Sequence, residues 1–153
     1  MSEHKNTGKI KKIHFILVGV MFLSAGLLWL LQWRYATEHI VLKDQHLHVL
    51  VAKNPKQWHK GLGGRDDLGK YDGMLFLFPF YEKHAFVMRD MRFPLDMIWL
   101  AQGKVVEMAP NVPISPQDRP YIPRMDANAV LELPAGWIDR YDLKIGDVIS
   151  VGD

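Results

Sequence analysis

The sequence contains no cysteine, and this absence removes several classes of structure and chemistry. Disulfide bonds, thiol nucleophiles, and zinc or iron–sulfur sites with cysteine ligands are all excluded. Any folded domain in this chain must therefore be held together by its hydrophobic core. The composition is compatible with an oxidising compartment, where an odd thiol would be a liability.

Serine is scarce in the part of the chain after residue 35, where only Ser115 and Ser150 occur. Neither lies in the G-x-S-x-G turn that presents a nucleophilic serine. Gly61, Gly63 and Gly64 come close together, but the Lys-Ser or Lys-Thr pair of a P-loop does not follow them. The sequence thus argues against an acyl-enzyme hydrolase and against a P-loop protein.

Basic residues outnumber acidic residues only slightly, and this excess is not evenly spread along the chain. Of 19 basic and 17 acidic side chains, four lysines and one glutamate lie in the first twelve residues. Subtracting them leaves 15 basic and 16 acidic side chains in the rest of the chain. Because nucleic-acid binding needs a basic face on the folded part, no nucleic-acid partner is predicted.

An apolar stretch without formal charge, if His14 is neutral, follows this basic tail over residues 13–33. A helix of this length rises roughly 30 Å, which matches the hydrocarbon core of a bilayer. Trp29, Trp33 and Tyr35 gather at its far end, and aromatic rings prefer the headgroup layer. The sequence therefore predicts a basic cytoplasmic tail over 1–12 and a transmembrane anchor over 13–35.

The lysines before the stretch also predict the orientation. By the positive-inside rule, the N-terminus is cytoplasmic and residues 36–153 form a periplasmic or extracellular domain. A cleavable signal peptide has a shorter apolar region and small residues at its cleavage site, whereas Ser24, Ala25 and Gly26 lie mid-stretch. An uncleaved signal anchor is favoured, and a cleaved signal or a buried soluble helix stays open as an alternative.

Residues 36–153 alternate between short apolar runs and turns, which is typical of strands. Strands are predicted over 40–42, 46–51, 73–79, 85–88, 95–100, 104–108, 129–133 and 145–151. Many short strands without a long crossover helix indicate a mainly β domain, an antiparallel sandwich or barrel.

Two short helices and one loop complete the expected domain. Asn54 and Pro55 predict a helix over 56–62 that ends at Gly63-Gly64, and a helical turn begins at 135–137. Five prolines fall within residues 110–123. That density excludes a ladder or a helix, so it predicts an extended loop or flap.

Five ordered segments of this domain carry a family resemblance: 60–65 (KGLGGR), 72–78 (DGMLFLF), 86–99 (FVMRDMRFPLDMIW), 130–136 (VLELPAG) and 145–147 (IGD). Over residues 47–151 the chain resembles the domain-of-unknown-function family numbered 192. The resemblance implies a mainly β, jelly-roll-like sandwich that is often exported or lipid-tethered in bacteria, and it brings no catalytic residues. Two departures from the family pattern are Val87, where a Trp is usual, and Gly63, where a Met is usual.

The candidate ligand-binding residues are Arg65, Arg89, Asp90, Asp96 and Glu132. Arginine can clamp an anionic or polyhydroxyl ligand in bidentate geometry. Loops on a rigid sheet are common ligand sites. We expect a non-catalytic groove that binds a polar small molecule, a glycan or an envelope protein, partly covered by the loop over 110–123.

Two other interpretations of these residues stay open. Asp96 and Glu132 are each embedded in apolar residues, and as a pair roughly 5 to 9 Å apart in one cleft they would suit a carboxylate-dependent hydrolase. Alternatively the cluster is structural, with Asp96 capping a turn while Arg65 and Arg89 neutralise Asp90 and Glu132.

Histidine is the remaining candidate for metal chemistry. His46 and His48 would share one face of a strand, and His39, His59 or His84 could complete a site. A His-x-His pair on an amphipathic strand is more often its solvated face. The sequence predicts no metal site and no cofactor.

Overall fold

The computed structural model describes residues 6–31, 34–114 and 119–151, with the side chains of 6–11 and 29–30 left out. The chain divides into two units, Met1–Arg34 and Tyr35–Asp153. The first contains helix α1, Asn6–Leu31, whose described apolar side chains are exposed, as at Phe15 and Leu23. Positions 32–33 of the expected anchor and 1–5 of the expected tail lie outside the described residues.

Within those described residues, no helix is long and apolar enough to cross a membrane.

The second unit consists of seven strands and two short helices among its described residues. In chain order they are β1 Ala36–Leu42, β2 Gln45–Ala52, α2 Pro55–Lys60, β3 Gly73–Glu82, β4 Leu95–Ala101, β5 Lys104–Val112, β6 Ala127–Pro134, α3 Trp137–Arg140 and β7 Ile149–Val151. The expected mainly β class is confirmed.

The strands form one sheet in the order β5-β4-β6-β3-β2-β1-β7. The pairing is mixed, because β2 and β3 run parallel while the other paired strands run antiparallel. A parallel pair needs a crossover, which residues 53–72 supply with α2. The expectation of a wholly antiparallel sheet therefore fails at this pair.

The two ends of the sheet approach each other. Lys104 on β5 forms a bridge with Val148, and the amide of Ile149 donates to the carbonyl of Gly103 at 2.8 Å. The amide of Val105 likewise donates to the carbonyl of Asp147 at 2.9 Å. The sheet is thus curled into a half-barrel, as one sheet rather than two packed sheets.

Alternation along the strands builds a separate hydrophobic core on each face of the sheet. The concave core draws on all seven strands and includes Ile40, Leu42, Val49, Leu75, Ile98, Leu100, Val105 and Leu131, with Ile149 packed against it. The outer core includes Leu50, Leu62, Met74, Phe76, Met88, Met91, Met97, Trp99 and Val130. Leu62, Met88 and Met91 come from connecting segments, so those segments cover the outer face.

Helix α2 begins as its sequence predicts. The side chain of Asn54 accepts from the amide of Gln57 at 3.1 Å, and Pro55 occupies the first turn. The helix ends at Lys60 rather than at residue 62, because Gly61 already has a positive φ of 49°.

Three predicted strands have different limits. Over residues 85–88 only Phe86 pairs, with Tyr121, because this segment covers the outer core instead of joining the sheet. Strand β5 continues through Pro110 to Val112. It lies at the end of the sheet, so its outward side needs no amide donor and the proline is tolerated there. The last strand begins at Ile149 rather than at residue 145.

Candidate functional site

A cavity of about 360 Å³ opens on the outer face of the sheet. It lies between α2, the far end of β3 and the segment that leads from β3 to β4. Its lining residues are Pro55, Trp58, His59, Lys60, Gly61, Leu62, Gly63, Phe76, Phe78, His84, Ala85, Phe86, Val87, Arg89, Met91 and Glu132. The volume is at the small end of the range that ligand pockets occupy.

Glu132 is the buried acid of this cavity, with 5% of its surface exposed. Its strand β6 pairs it with Met74 and Met97, which belong to the outer core, so its side chain shares their face. Burial raises the pKa of Glu132 to about 8. The carboxyl is therefore mostly protonated at neutral pH and can donate a hydrogen bond.

Nothing in the described part of the chain forms an ion pair or a hydrogen bond with this carboxyl group. The backbone of β6 is held close to β3 at this point. A Cβ on Gly73 would lie 2.2 Å from the carbonyl oxygen of Glu132, so only glycine fits the start of β3. This close approach fixes the position of the Glu132 backbone relative to β3.

Aromatic rings form the walls. The ring of Phe78 lies 5.0 Å from Trp58 and stacks on His84 at 3.6 Å, and Phe76 meets Phe86 edge-on at 4.9 Å. The indole of Trp58 donates to the carbonyl of Ala52 at 3.2 Å. These rings pack against one another and form the aromatic part of the cavity wall.

The exposed charged residues at the cavity are basic. Lys60 ends α2, and the guanidinium Nη1 of Arg89 lies 3.4 Å from Nε2 of His59. Arg89 is positioned by its backbone: a Cβ on Gly63 would lie 2.9 Å from the Arg89 carbonyl oxygen. Glu132 is the single acid among the described lining residues, so the exposed mouth is lined by cationic side chains and the acid lies in the interior.

Tyr35 does not line the cavity, but it contacts a residue that does. Its hydroxyl donates to the carbonyl of Gly61 at 3.1 Å, and the guanidinium of Arg65 lies 5.8 Å from the centre of its ring. Burial raises the pKa of Tyr35, the nearby Arg65 lowers it and Glu132 raises it. Arg65 therefore contacts the site through Tyr35 and does not line the cavity.

The structure brings together two of the five candidate residues, Arg89 and Glu132. Asp90 is exposed beside the cavity with a positive φ of 55°, and its carbonyl accepts from the amide of Gly64 at 2.8 Å. The expected groove of Arg65, Arg89, Asp90 and Asp96 is thus not assembled, because Asp96 lies on the other face.

Asp96 is wholly buried and bonded to backbone amides. Its Oδ1 accepts from Asn111 at 2.7 Å and from Gly136 at 3.3 Å, while Oδ2 accepts from Ile138 at 2.7 Å. These contacts join β4 to the end of β5 and to the start of α3. Asp96 therefore has the capping role that the open alternative described, with the backbone amides of Gly136 and Ile138 as partners at the start of α3.

The register separates Asp96 from Glu132. Asp96 pairs with Leu133 of the concave core, whereas Glu132 pairs with Met97 of the outer core. Neighbouring positions on a strand point to opposite faces. The two carboxyls therefore do not face one cleft, and the hydrolase that uses this pair loses the geometry it requires.

The proline-rich loop reaches the cavity through one residue. Tyr121 pairs with Phe86, whose amide donates to the Tyr121 carbonyl at 3.0 Å. Ser115 and the rest of 115–118 lie outside the described residues. Among the described residues of the predicted loop, Tyr121 is therefore the one that contacts the cavity wall.

The histidines are dispersed. His39 and His48 stack across β1 and β2 with ring centroids 4.4 Å apart, while His59 and His84 line the cavity. No group of three or more metal-ligating His, Asp or Glu side chains exists in the described ranges.

Sequence reasoning missed most of the cavity wall. Trp58, His59 and Lys60 lie on a short helix between two breakers, and only Lys60 falls in a segment of the family resemblance. The sequence signal that could have indicated the cavity was a Trp next to two basic residues, His59 and Lys60, on a very short helix. The partner rings Phe78 and Phe86 become neighbours of Trp58 only through the tertiary fold.

The comparisons with known proteins agree with the resemblance. The model of the DUF192 family, described as an uncharacterized ACR, matches residues 38–151. Both departures from the family pattern, Gly63 and Val87, line the cavity. Comparison with curated proteins finds no match.

Two solved structures are similar to this chain. A chain from Sinorhizobium meliloti 1021, described as a candidate transcription regulator, has 30% identity and a TM-score of 0.69, and the match covers 76% of this chain and 95% of that one. A protein of unknown function from Novosphingobium aromaticivorans has 27% identity and a TM-score of 0.65, with 76% and 84% covered.

Proposed function

Because the chain belongs to the DUF192 family, whose members are uncharacterised, we propose a function from the cavity itself. The protein is a membrane-anchored, extracytoplasmic module that binds a small molecule around Glu132 without catalysing a reaction. The observation that carries this proposal is a buried glutamate, 5% exposed, that lines an aromatic cavity without an ion-pair partner among the described residues. A buried acid with a shifted pKa in a cleft is a candidate for a functional site.

The size and shape of the cavity favour a small molecule over a glycan chain or an envelope protein. A pocket of about 360 Å³ between rigid rings can enclose a ligand of modest size. A protein partner would instead be expected to use a broad exposed surface. The small molecule is therefore the occupant we propose.

The number of carboxyl groups argues against the two-carboxylate hydrolase. Such an enzyme needs a second carboxyl group in the same cleft. The described lining residues contain one acid, and Asp96 is committed to three backbone amides on the other face.

The domain is suited to binding experiments without the N-terminal unit. Both hydrophobic cores consist of residues between Tyr35 and Ile149. The match to the Sinorhizobium chain covers 76% of this chain and 95% of that one. The crystallised protein therefore contains little beyond this domain. We therefore treat residues 35–153 as an independently folding unit.

Occupation of the cavity can be tested with a library of water-soluble aromatic fragments and amide chemical shifts of residues 35–153. We expect several fragments to shift the amides of Trp58, Phe86 and Glu132 at millimolar concentration. Val87→Trp places a large ring in the cavity, so it should abolish these shifts. Ile145→Trp, at an exposed position outside the cavity, is the matched control and should retain them.

Two results would refute the binding proposal. One is a library in which no fragment shifts cavity amides. The other is a set of shifts that survives unchanged in Val87→Trp while this variant keeps the fold, as judged by its remaining amide spectrum.

The anchor is the second part of the proposal, and the apolar stretch over 13–33 after a lysine-rich tail supports it. Alkaline phosphatase fused after Asp153 should be active, and green fluorescent protein at the same place should be dark. The chain should stay in the membrane fraction after alkaline carbonate washing, and deletion of residues 13–33 should release it. Bright fluorescence without phosphatase activity would contradict the orientation.

A further inference from the structure

We infer that the ligand of this cavity is a small organic anion with an apolar body. The body lies between the aromatic walls, the charged group lies at Lys60 and Arg89, and the buried end meets the side chain of Glu132. This inference rests on the proposed function and specifies its ligand.

The sign of the ligand charge follows from the mouth of the cavity. Lys60, Arg89 and His59 are exposed lining residues, and the single acid among the described lining residues is buried. Cationic groups at an opening whose walls are apolar attract anions and repel cations. Arginine and lysine also form charge-assisted hydrogen bonds with carboxylate, sulfonate or phosphate groups.

The body of the ligand follows from the walls. Trp58, Phe78 and Phe86 present rings to the cavity, and Leu62 and Met91 add apolar surface. Aromatic bodies pack on such rings in offset or edge-on arrangements. A volume of about 360 Å³ leaves room for one ring and a short chain rather than for a long acyl chain.

Glu132 decides between an anion and its main competitor, an amine. An amine would need ionised Glu132 as its counterion. Burial opposes that ionisation, and an apolar body that displaces water from the cavity opposes it further. Entry of the anion is therefore coupled to protonation of Glu132.

The groups around Glu132 define the pH range in which this coupling is visible. Helix α2 contributes His59 and Lys60, the segment after β3 contributes His84 and Arg89, and Tyr35 with Arg65 lies behind. The neighbouring positions on β3 and β4, Met74 and Met97, do not titrate. The pH series covers the range around the Glu132 pKa of about 8, and the Glu132→Gln variant separates the titration of this carboxyl group from that of its neighbours.

Three probes with one body and different charge test the inference: hydrocinnamate, hydrocinnamamide and phenylpropylamine. Each is titrated into residues 35–153 at pH 7.5 and low salt, with binding followed by the amide shifts of Trp58 and Phe86. Hydrocinnamate should bind about tenfold more tightly than the amide, as one charge-assisted contact provides. Phenylpropylamine should bind most weakly.

Matched variants separate the mouth from the general surface charge. Lys60→Gln and Arg89→Gln should each weaken hydrocinnamate by roughly three- to tenfold and leave the amide unchanged, since only the anion uses these charges. Lys104→Gln removes an exposed cation outside the cavity. It should leave all three probes unchanged.

The pH series tests the role of Glu132. The dissociation constant of hydrocinnamate should rise about tenfold between pH 7.5 and 9.5 in the wild-type domain as Glu132 ionises. In Glu132→Gln, where the amide group stays neutral, it should not change with pH. A dissociation constant that is flat in the wild type would refute the coupling.

Each remaining result is also decisive. Preference for phenylpropylamine or for hydrocinnamamide overturns the inference and leaves the cavity as a ligand site. Absence of binding by all three probes also overturns it, and the fragment library decides the proposed function separately.

Discussion

Asp96→Asn is expected to lower the free energy of unfolding by about 3 to 5 kcal/mol. The carboxylate accepts from the amides of Asn111, Gly136 and Ile138 in a wholly buried place. The asparagine side chain offers one oxygen, and its NH₂ group would face a backbone N–H. Urea unfolding of residues 35–153, with the slope m unchanged, measures the loss.

Asp90→Asn is the matched control. Asp90 is exposed and has a positive φ that asparagine tolerates well, so we expect a change within about 0.5 kcal/mol. If Asp96→Asn were as mild as this control, the three amide contacts would not hold β4, β5 and α3 together. The structural role of Asp96 would then have to be withdrawn.

Glu132→Gln should change how stability depends on pH. The folded-state pKa of about 8 lies above the ordinary value of 4.5. The folded protein therefore retains a proton that the unfolded chain has released. The contribution of Glu132 to stability is fully present below about pH 4.5 and is lost by roughly 1.4 kcal/mol for each pH unit until about pH 8.

The measurement is a comparison of two curves. Wild type and Glu132→Gln should be similarly stable at pH 5, and the variant should become more stable by on the order of 4 kcal/mol at pH 8. Glu82→Gln, at an exposed position, should follow the wild type. Parallel curves for wild type and Glu132→Gln would show that Glu132 is ionised in the folded protein.

A stabilising Glu132→Gln would bear on function as well as on folding. Residues that lower stability are kept where a site needs them, because packing alone would select an apolar or amide side chain there. The same variant is expected to bind hydrocinnamate without pH dependence. Stability and binding would then both depend on protonation of the Glu132 side chain.

Several features were predictable because they depend on local chemistry. The hairpin of β1 and β2 follows from alternation around a polar turn, and α2 begins where Asn54 and Pro55 predict. The mainly β class follows from short apolar runs between breakers. The family could be identified because its motifs are contiguous segments.

Other features were not predictable because they depend on contacts between distant segments. The parallel pairing of β2 with β3 arises from the path of residues 53–72, and the segment 85–88 looks like a strand although it covers the outer core. Apolar alternation shows that a segment is half-buried, but it does not show which partner buries it.

Asp96 and Glu132 can be recognised as unusual from the sequence, since each interrupts an apolar strand. Their separation into two unrelated sites becomes visible in the fold. The register of β4 against β6 places adjacent pairs on opposite faces, so Asp96 meets backbone amides in one core and Glu132 enters a cavity in the other. Composition and spacing carry no information on that register, because a shift of one residue would exchange the two faces.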